Sequence, residues 1–358
     1  MLPTGLLRVS ARRGQSRPRT TELAMPLPVI LSTSPRSIVE GPYQRRHASM
    51  SPHELRYSSR DPKQLARDLA EADLILGDWT AELKLDRHAL DAANRSRIVV
   101  HPTAGYDSID VTHAAALGLP VANTPGANAR GVAEWAVMAA LACLKNLTLN
   151  HQRTRAGEWR MVEASAEGVY DVGGRTIGIL GFGAIGQGVA RRLHAFGVDR
   201  ILYFDAFVDV DSIDGGAPVE RVQSVAELCE RADVVSIHLP LTPETRHIVD
   251  AENLRRIGTD GVIVNTARGQ VVDEDALHAA LVAGTIKAAA LDVFSDEPLI
   301  GAHRWADLEN VLLSPHLAGS THESKQQMLD GALRSLDAAL RGDLPRSVVN
   351  QVTSLRLL

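Results

Sequence analysis

TIGILGFGAIG (176–186) decides the fold of this 358-residue chain. Its first five residues form an apolar run that reads as a buried strand, and Gly181, Gly183 and Gly186 follow directly. The next segment is apolar at Val189, Leu193 and Phe196 and stops at Gly197, which is helical spacing. Strand, glycine-rich turn and helix in that order open a dinucleotide-binding unit. Gly181 permits the tight turn, Gly183 lets the backbone approach a pyrophosphate, and Gly186 lets helix and strand lie close. The helix N-terminus adds unpaired N–H groups and positive dipole for the phosphates. A second run, RILYF (200–204), ends on Asp205, about twenty residues further on, where a carboxylate takes the ribose hydroxyls. That carboxylate repels a 2′-phosphate, so the expected cofactor is NAD rather than NADP. An unliganded glycine turn and an S-adenosylmethionine site are the competing readings.

Four further apolar runs follow: DVVSIHL (233–239), GVIVNT (261–266), AAALDV (288–293) and NVLLSP (310–315). Continuous apolar strands are buried on both faces, as in parallel sheets. A helix with Asp273 as N-cap, apolar at Leu277 and Leu281, lies between two of them. The first half alternates likewise. PVIL (28–31) reads as a strand followed by a loop rich in Pro, Arg and Ser. LILGD (74–78), RIVVHP (97–102) and PVANT (120–124) are strands separated by helices near 62–72, 86–93 and 110–119. One long helix is expected over 129–155 and a last one near 321–341. The expected fold class is therefore α/β, with two doubly wound parallel-sheet domains and a cleft between them. Residues 26–125 plus 317–345 would form a flavodoxin-like substrate domain, closed by the last helix, and 126–316 the Rossmann-type NAD domain.

Composition narrows the function. A net charge of −5 and 4% aromatic residues give no footprint for nucleic acid. The longest apolar run, WAVMAALACL (135–144), is about half of a membrane span. Two cysteines, Cys143 and Cys229, read as buried thiols in a reducing, cytoplasmic compartment, with no metal site. Residues 1–24 hold five arginines against one acid, Glu22, which reads either as a transit peptide or as an extension ahead of a start at Met25.

In an open α/β sheet ligands bind at the carboxyl ends of the strands, and the polar residues there suit hydride transfer to a carbonyl. Arg268, in NTARG after a buried strand, is a permanent cation that can hold a carboxylate bidentately. His316, one of 13 histidines, follows the last strand in a turn shaped by Pro315 and Gly319. Glu297, five residues past Asp292, lies near enough to reach His316 and keep it protonated. His238 is the rival acid/base, but Pro240 and Pro243 make HLPLTPET (238–245) look like a cofactor-side loop.

The set GFGAIG, HLPLTPETRHIVD, VNTARGQVVDEDAL, ALDVFSDEP and SPHLAGST, with HPTAGYDSIDV (101–111) and VANTPGANARGVAEW (121–135) before it, resembles the NAD-dependent D-isomer-specific 2-hydroxyacid dehydrogenases. The resemblance runs from about residue 70 to about 330. It implies Arg268 for the substrate's carboxylate and carbonyl, His316 as acid/base and Glu297 as its partner. It further implies Ala184 and Ile185 amides at the pyrophosphate, and Thr266, Ala267 and Asp292 around the nicotinamide. His238, Pro240, Thr245 and Gly319 would complete the cofactor surround, and the backbone of Ala104 and Gly105 would meet the substrate carboxylate. A homodimer is implied too. The stretch before Met50 matches nothing in that pattern, Arg130 stands where the pattern is loose, and no regulatory domain is expected after residue 345. The substrate therefore stays open between glyoxylate or hydroxypyruvate and phosphoglycerate types. Alternatives are a non-enzymatic NAD(H)-sensing protein resembling the C-terminal-binding corepressors, or a formate or phosphite dehydrogenase of the same fold.

Overall fold

The apolar runs become parallel strands in two sheets. A computed structural model describes residues 26–213 and 216–357, so the reading of the first 25 residues lies outside the described residues. The first sheet holds β1 (Val29–Ser32), β2 (Glu54–Tyr57), β3 (Leu74–Leu76), β4 (Val99–Val100) and β5 (Val121–Ala122), in the order β2-β1-β3-β4-β5. The second holds β6 (Thr176–Leu180), β7 (Arg200–Phe204), β8 (Glu220–Arg221), β9 (Val234–Ile237), β10 (Val262–Asn265), β11 (Ala288–Leu291) and β12 (Val311–Leu313). Its order is β12-β11-β10-β9-β6-β7-β8. Chain order reverses between β6 and β9, and this switch point is where a crevice opens beyond the carboxyl ends of the strands.

Burial follows the sequence pattern. β3, β9, β10 and β11 are buried at every residue, with helices on both faces, and one core cluster lies on each side of each sheet. The helix His322–Leu340 finds its partner surface on the first sheet, burying Leu329, Leu333 and Leu336 with Ile30, Leu74, Leu76 and Val100. Burying one such leucine contributes roughly 1.5–3 kcal/mol. The tail adds an antiparallel bridge from Val348 to Ala122 at the β5 edge.

Four expectations are corrected. The stretch after β1 is not all loop: it forms the helix Arg36–Arg46 and the edge strand β2, whose alternating exposed and half-buried ELRY carries no apolar run. The helix expected over 129–155 is two, Ala129–Leu144 and Leu147–Arg155, bent by 64° where Asn146 takes the left-handed conformation at φ 47°. The second sheet gains β8, two polar residues recruited only by pairing with β7. Phe196 also falls beyond its helix, which ends at His194, and is half exposed. Among the described residues, no single helix is long and apolar enough to cross a membrane.

Candidate active site

The glycine turn sits at the switch point. Gly181 has φ +90°, and a Cβ there would lie 2.8 Å from the His238 carbonyl carbon and oxygen, so a side chain is excluded twice over. A Cβ on Gly186 would lie 2.2 Å from the Gly181 oxygen. Gly183 is different: a Cβ there meets nothing within 4 Å, leaving open space above the turn. Gly183 is the N-cap of Ala184–His194 and supplies no side chain to its first N–H groups, so the amides at Ala184 and Ile185 stay available to an anion. This open cradle fits a dinucleotide pyrophosphate.

Asp205 follows β7 at the rim of the cradle. Its Oδ2 accepts from Phe182 N at 2.7 Å, and its Oδ1 from Phe207 N and Val208 N at 2.8 and 2.9 Å. Burial pushes the carboxyl up, but the amides outweigh it and hold the pKa below the usual carboxylate range. A fixed negative charge therefore stands at the rim of the cradle. Asp205→Asn is expected to reduce discrimination against NADPH roughly tenfold or more, since a charge-assisted hydrogen bond contributes about 1.5–3 kcal/mol. KM values for NADH and NADPH check this, and a wild-type preference for NADPH contradicts it.

His238 is half-buried, with Nε2 2.8 Å from Ser236 Oγ and Nδ1 3.2 Å from Thr266 Oγ1. Burial lowers its pKa to about 3, which leaves it neutral near pH 7. Thr245 closes the following loop by donating from Oγ1 to the Pro240 oxygen at 2.6 Å.

His316 lies at the carboxyl end of β12 with φ 53°, a left-handed conformation that costs a non-glycine residue of order 1 kcal/mol. Asp292 holds that turn. Its Oδ1 accepts from Ser314 Oγ at 2.5 Å and Leu317 N at 2.7 Å, its Oδ2 from Ala318 N at 2.8 Å, and its carbonyl from His316 N at 2.8 Å. The His316 ring meets Glu297, Nδ1 to Oε2, at 2.8 Å, while Glu297 Oε1 accepts from Phe294 N at 2.9 Å. The Glu297 bond raises the His316 pKa against opposing burial. Burial pushes Glu297 up in turn, yet the His316 and Phe294 hydrogen bonds leave it below its ordinary value. The pairing favours the protonated form of His316 and the ionised form of Glu297. Gly319 completes the turn against Asn128, at the start of the helix Ala129–Leu144.

Arg268 follows β10 after a turn that Asn265 shapes, accepting from Ala267 N at 3.0 Å and donating to the Arg268 oxygen at 2.9 Å. Its guanidinium reaches across to the first sheet. A Cβ on Gly105 would lie 2.1 Å from Nη2, so the arginine rests on the Ala104–Gly105 backbone. The structure thus brings together Arg268, His316, Glu297, Asp292 and the 104–105 loop. Sequence reasoning missed Asn265 and Asp107, the acid that Arg268 meets; one extra carboxylate in HPTAGYDSIDV was the available signal. It also passed over His101, a buried histidine whose Nδ1 has no partner among the described residues. A cavity of about 300 Å³ lined by Cys143, Tyr170 and Lys287 opens at the opposite, amino-terminal ends of the strands and holds none of these groups.

A hydride-cofactor cradle beside a fixed cation and a charged histidine is what reduction of an oxo acid requires, which defines the class as a dinucleotide-dependent oxidoreductase. Comparison with known proteins specifies it further. Residues 137–318 match the model of the D-isomer specific 2-hydroxyacid dehydrogenase NAD binding domain. A glyoxylate reductase of Korarchaeum cryptofilum is 40% identical over 75% of this chain and 80% of its own. Among solved structures, a glyoxylate reductase from Paecilomyes thermophila superposes with TM-score 0.80 at 29% identity, over 91% of this chain and all of that one. An NADPH-dependent glyoxylate/hydroxypyruvate reductase from Sinorhizobium meliloti, in complex with NADP and malonate, gives 0.78 at 30%, over 92% and 99%. The chain belongs to the D-isomer specific 2-hydroxyacid dehydrogenase family. It is an oxidoreductase acting on CH–OH groups, with NAD as its cofactor. Neither the corepressor-like reading nor formate or phosphite oxidation is favoured by these relatives.

Proposed function

We propose that this enzyme reduces a small, unphosphorylated 2-oxo acid, either glyoxylate to glycolate or hydroxypyruvate to D-glycerate. The observation that carries the reading is the meeting of the Arg268 guanidinium with the Gly105 backbone, together with the His316 ring bonded to Glu297. Arg268 and the Ala104–Gly105 amides hold the substrate carboxylate and polarise the carbonyl. Protonated His316 gives its proton to the carbonyl oxygen, and Glu297 keeps that proton in place until then. Bound NADH supplies the hydride at C2. Thr266, Ala267, Asp292 and Gly319 would line the nicotinamide site, with His238, Pro240 and Thr245 completing the cofactor surround.

Charge supports the unphosphorylated acids. Arg60, a cation near the carboxyl end of β3, is already paired at 2.9 Å with the buried carboxylate of Asp78, so it offers little to a 3-phosphate. The relatives named for glyoxylate point the same way. A panel of glyoxylate, hydroxypyruvate, pyruvate, 3-phosphohydroxypyruvate, formate and phosphite with NAD(H) tests the reading. The highest kcat/KM is expected for glyoxylate or hydroxypyruvate. Faster turnover of the phosphorylated acid, formate or phosphite overturns it, and NADH binding without turnover of any of them supports the corepressor-like alternative.

The substrate domain comprises 26–125 and 317–345, and the NAD domain 126–316; packing of His322–Leu340 on the first sheet supports this division. The chain works as a homodimer. Trp159, Met161 and Val162 are 83, 68 and 72% exposed, beside the half-exposed Leu147, an apolar face that a second copy covers. Light scattering is expected at the dimer mass, and a monomer mass at assay concentration contradicts it. Two buried, unpaired cysteines support a reducing compartment, the cytoplasm.

A further inference from the structure

The Arg268 side chain is already engaged. Its Nε and Nη2 both donate to Asp107 Oδ2, at 3.0 and 2.5 Å, and its Nη1 donates to the Ala267 oxygen at 2.7 Å. A guanidinium has five N–H donors; these three bonds leave one on Nη1 and one on Nη2, the pair that takes a carboxylate bidentately. Asp107 belongs to the loop after β4, so the ion pair crosses the cleft between the two sheets. We propose that Asp107 is a positioning residue, which fixes the Arg268 guanidinium against the Gly105 backbone with its free edge toward the substrate and partly neutralises its charge beside His316.

The inference rests on the reading of Arg268 as the carboxylate ligand. Three charged groups act on His316: Glu297 and Asp292 favour its protonation, and Arg268 opposes it. Two act on Asp107: Arg268, and His101, which burial holds near a pKa of about 4 and therefore neutral at pH 7. Asp107 is the acid hydrogen-bonded to Arg268 and offsets its charge directly, while Glu297 interacts with the same cation without such a bond. Without it the cation is stronger but less well placed. For substrate binding these two changes oppose each other, whereas for the reacting geometry and for His316 both are adverse.

Glyoxylate reduction by the full-length enzyme, followed from pH 5 to 10, tests this in Asp107→Asn, Asp107→Glu and Arg268→Ala. In Asp107→Asn, kcat is expected to fall roughly tenfold or more, with a smaller change in KM, and the alkaline limb to move to lower pH. Asp107→Glu restores the charge but displaces the guanidinium, so the limb returns to its wild-type position while kcat stays low. A role only in holding the loop would instead lower the melting temperature and leave the limb in place in both variants. Wild-type kcat and limb in Asp107→Asn, with Arg268→Ala crippled, overturns the inference alone. Should Asp107→Asn not fold, an unchanged kcat in Asp107→Glu overturns it. Wild-type kcat and KM in Arg268→Ala removes the carboxylate reading, and this inference with it.

Discussion

Replacing His316 by alanine is expected to lower kcat for 2-oxo acid reduction by about 10²–10⁴, the range over which a positioned general acid acts. NADH binding should persist, because the glycine cradle and Asp205 lie on other strands of the sheet. Stopped-flow turnover with fluorescence titration of NADH checks both, and a near-normal kcat removes His316 from the chemistry. The pH dependence carries a sign. Reduction needs His316 protonated, so its rate is on plateau below the raised pKa and falls as pH increases through it. Oxidation of the hydroxy acid needs the neutral ring and rises over the same interval. Glu297→Gln removes the largest cause of the raised pKa, and the alkaline limb of reduction should move to lower pH. A limb unmoved in Glu297→Gln assigns it to another group.

Arg268→Ala is expected to raise KM and lower kcat together, with kcat/KM down by roughly 10²–10³ or more. Loss of one preorganised donor to a developing oxyanion already costs that much, and the carboxylate loses its partner as well. Arg268→Lys should recover only part, because an ammonium is a point charge without the planar fork. A rise in KM with unchanged kcat would restrict Arg268 to substrate binding.

Much of the architecture was legible in short stretches. TIGIL, VVSI and VIVN are buried at nearly every residue, and such runs reveal themselves whatever their partners are. β2 and β8 were not legible, for the same physical reason inverted. ELRY is half exposed at an edge, and Glu220–Arg221 is polar and two residues long, so each is a strand only because a neighbour supplies its hydrogen bonds. The break at Lys145–Asn146 has neither glycine nor proline to announce it, and asparagine's tolerance of positive φ is a weak sign. In the site, residue types at strand ends pointed to Arg268, His316 and Glu297. The left-handed backbone of His316, the carboxylate of Asp292 spent on the 314–318 turn, and the Asp107 contact had no local signature.

By itself the sequence determined two parallel sheets, a dinucleotide turn, an acid at the end of the strand that follows it, and the order in which a cation, an acid and a histidine occur. Those features depend on periodicity and turn chemistry within a few residues, which the chain writes locally. Only the tertiary structure decided that Arg268 meets Asp107, and it gave the His316–Glu297 pair read from the sequence its geometry. His316 and Glu297 are 19 residues apart, and Arg268 and Asp107 are 161 apart on loops of different sheets. Hydrogen bonds form or fail within a few tenths of an ångström, and sequence spacing does not constrain the distance between loops that separate sheets position.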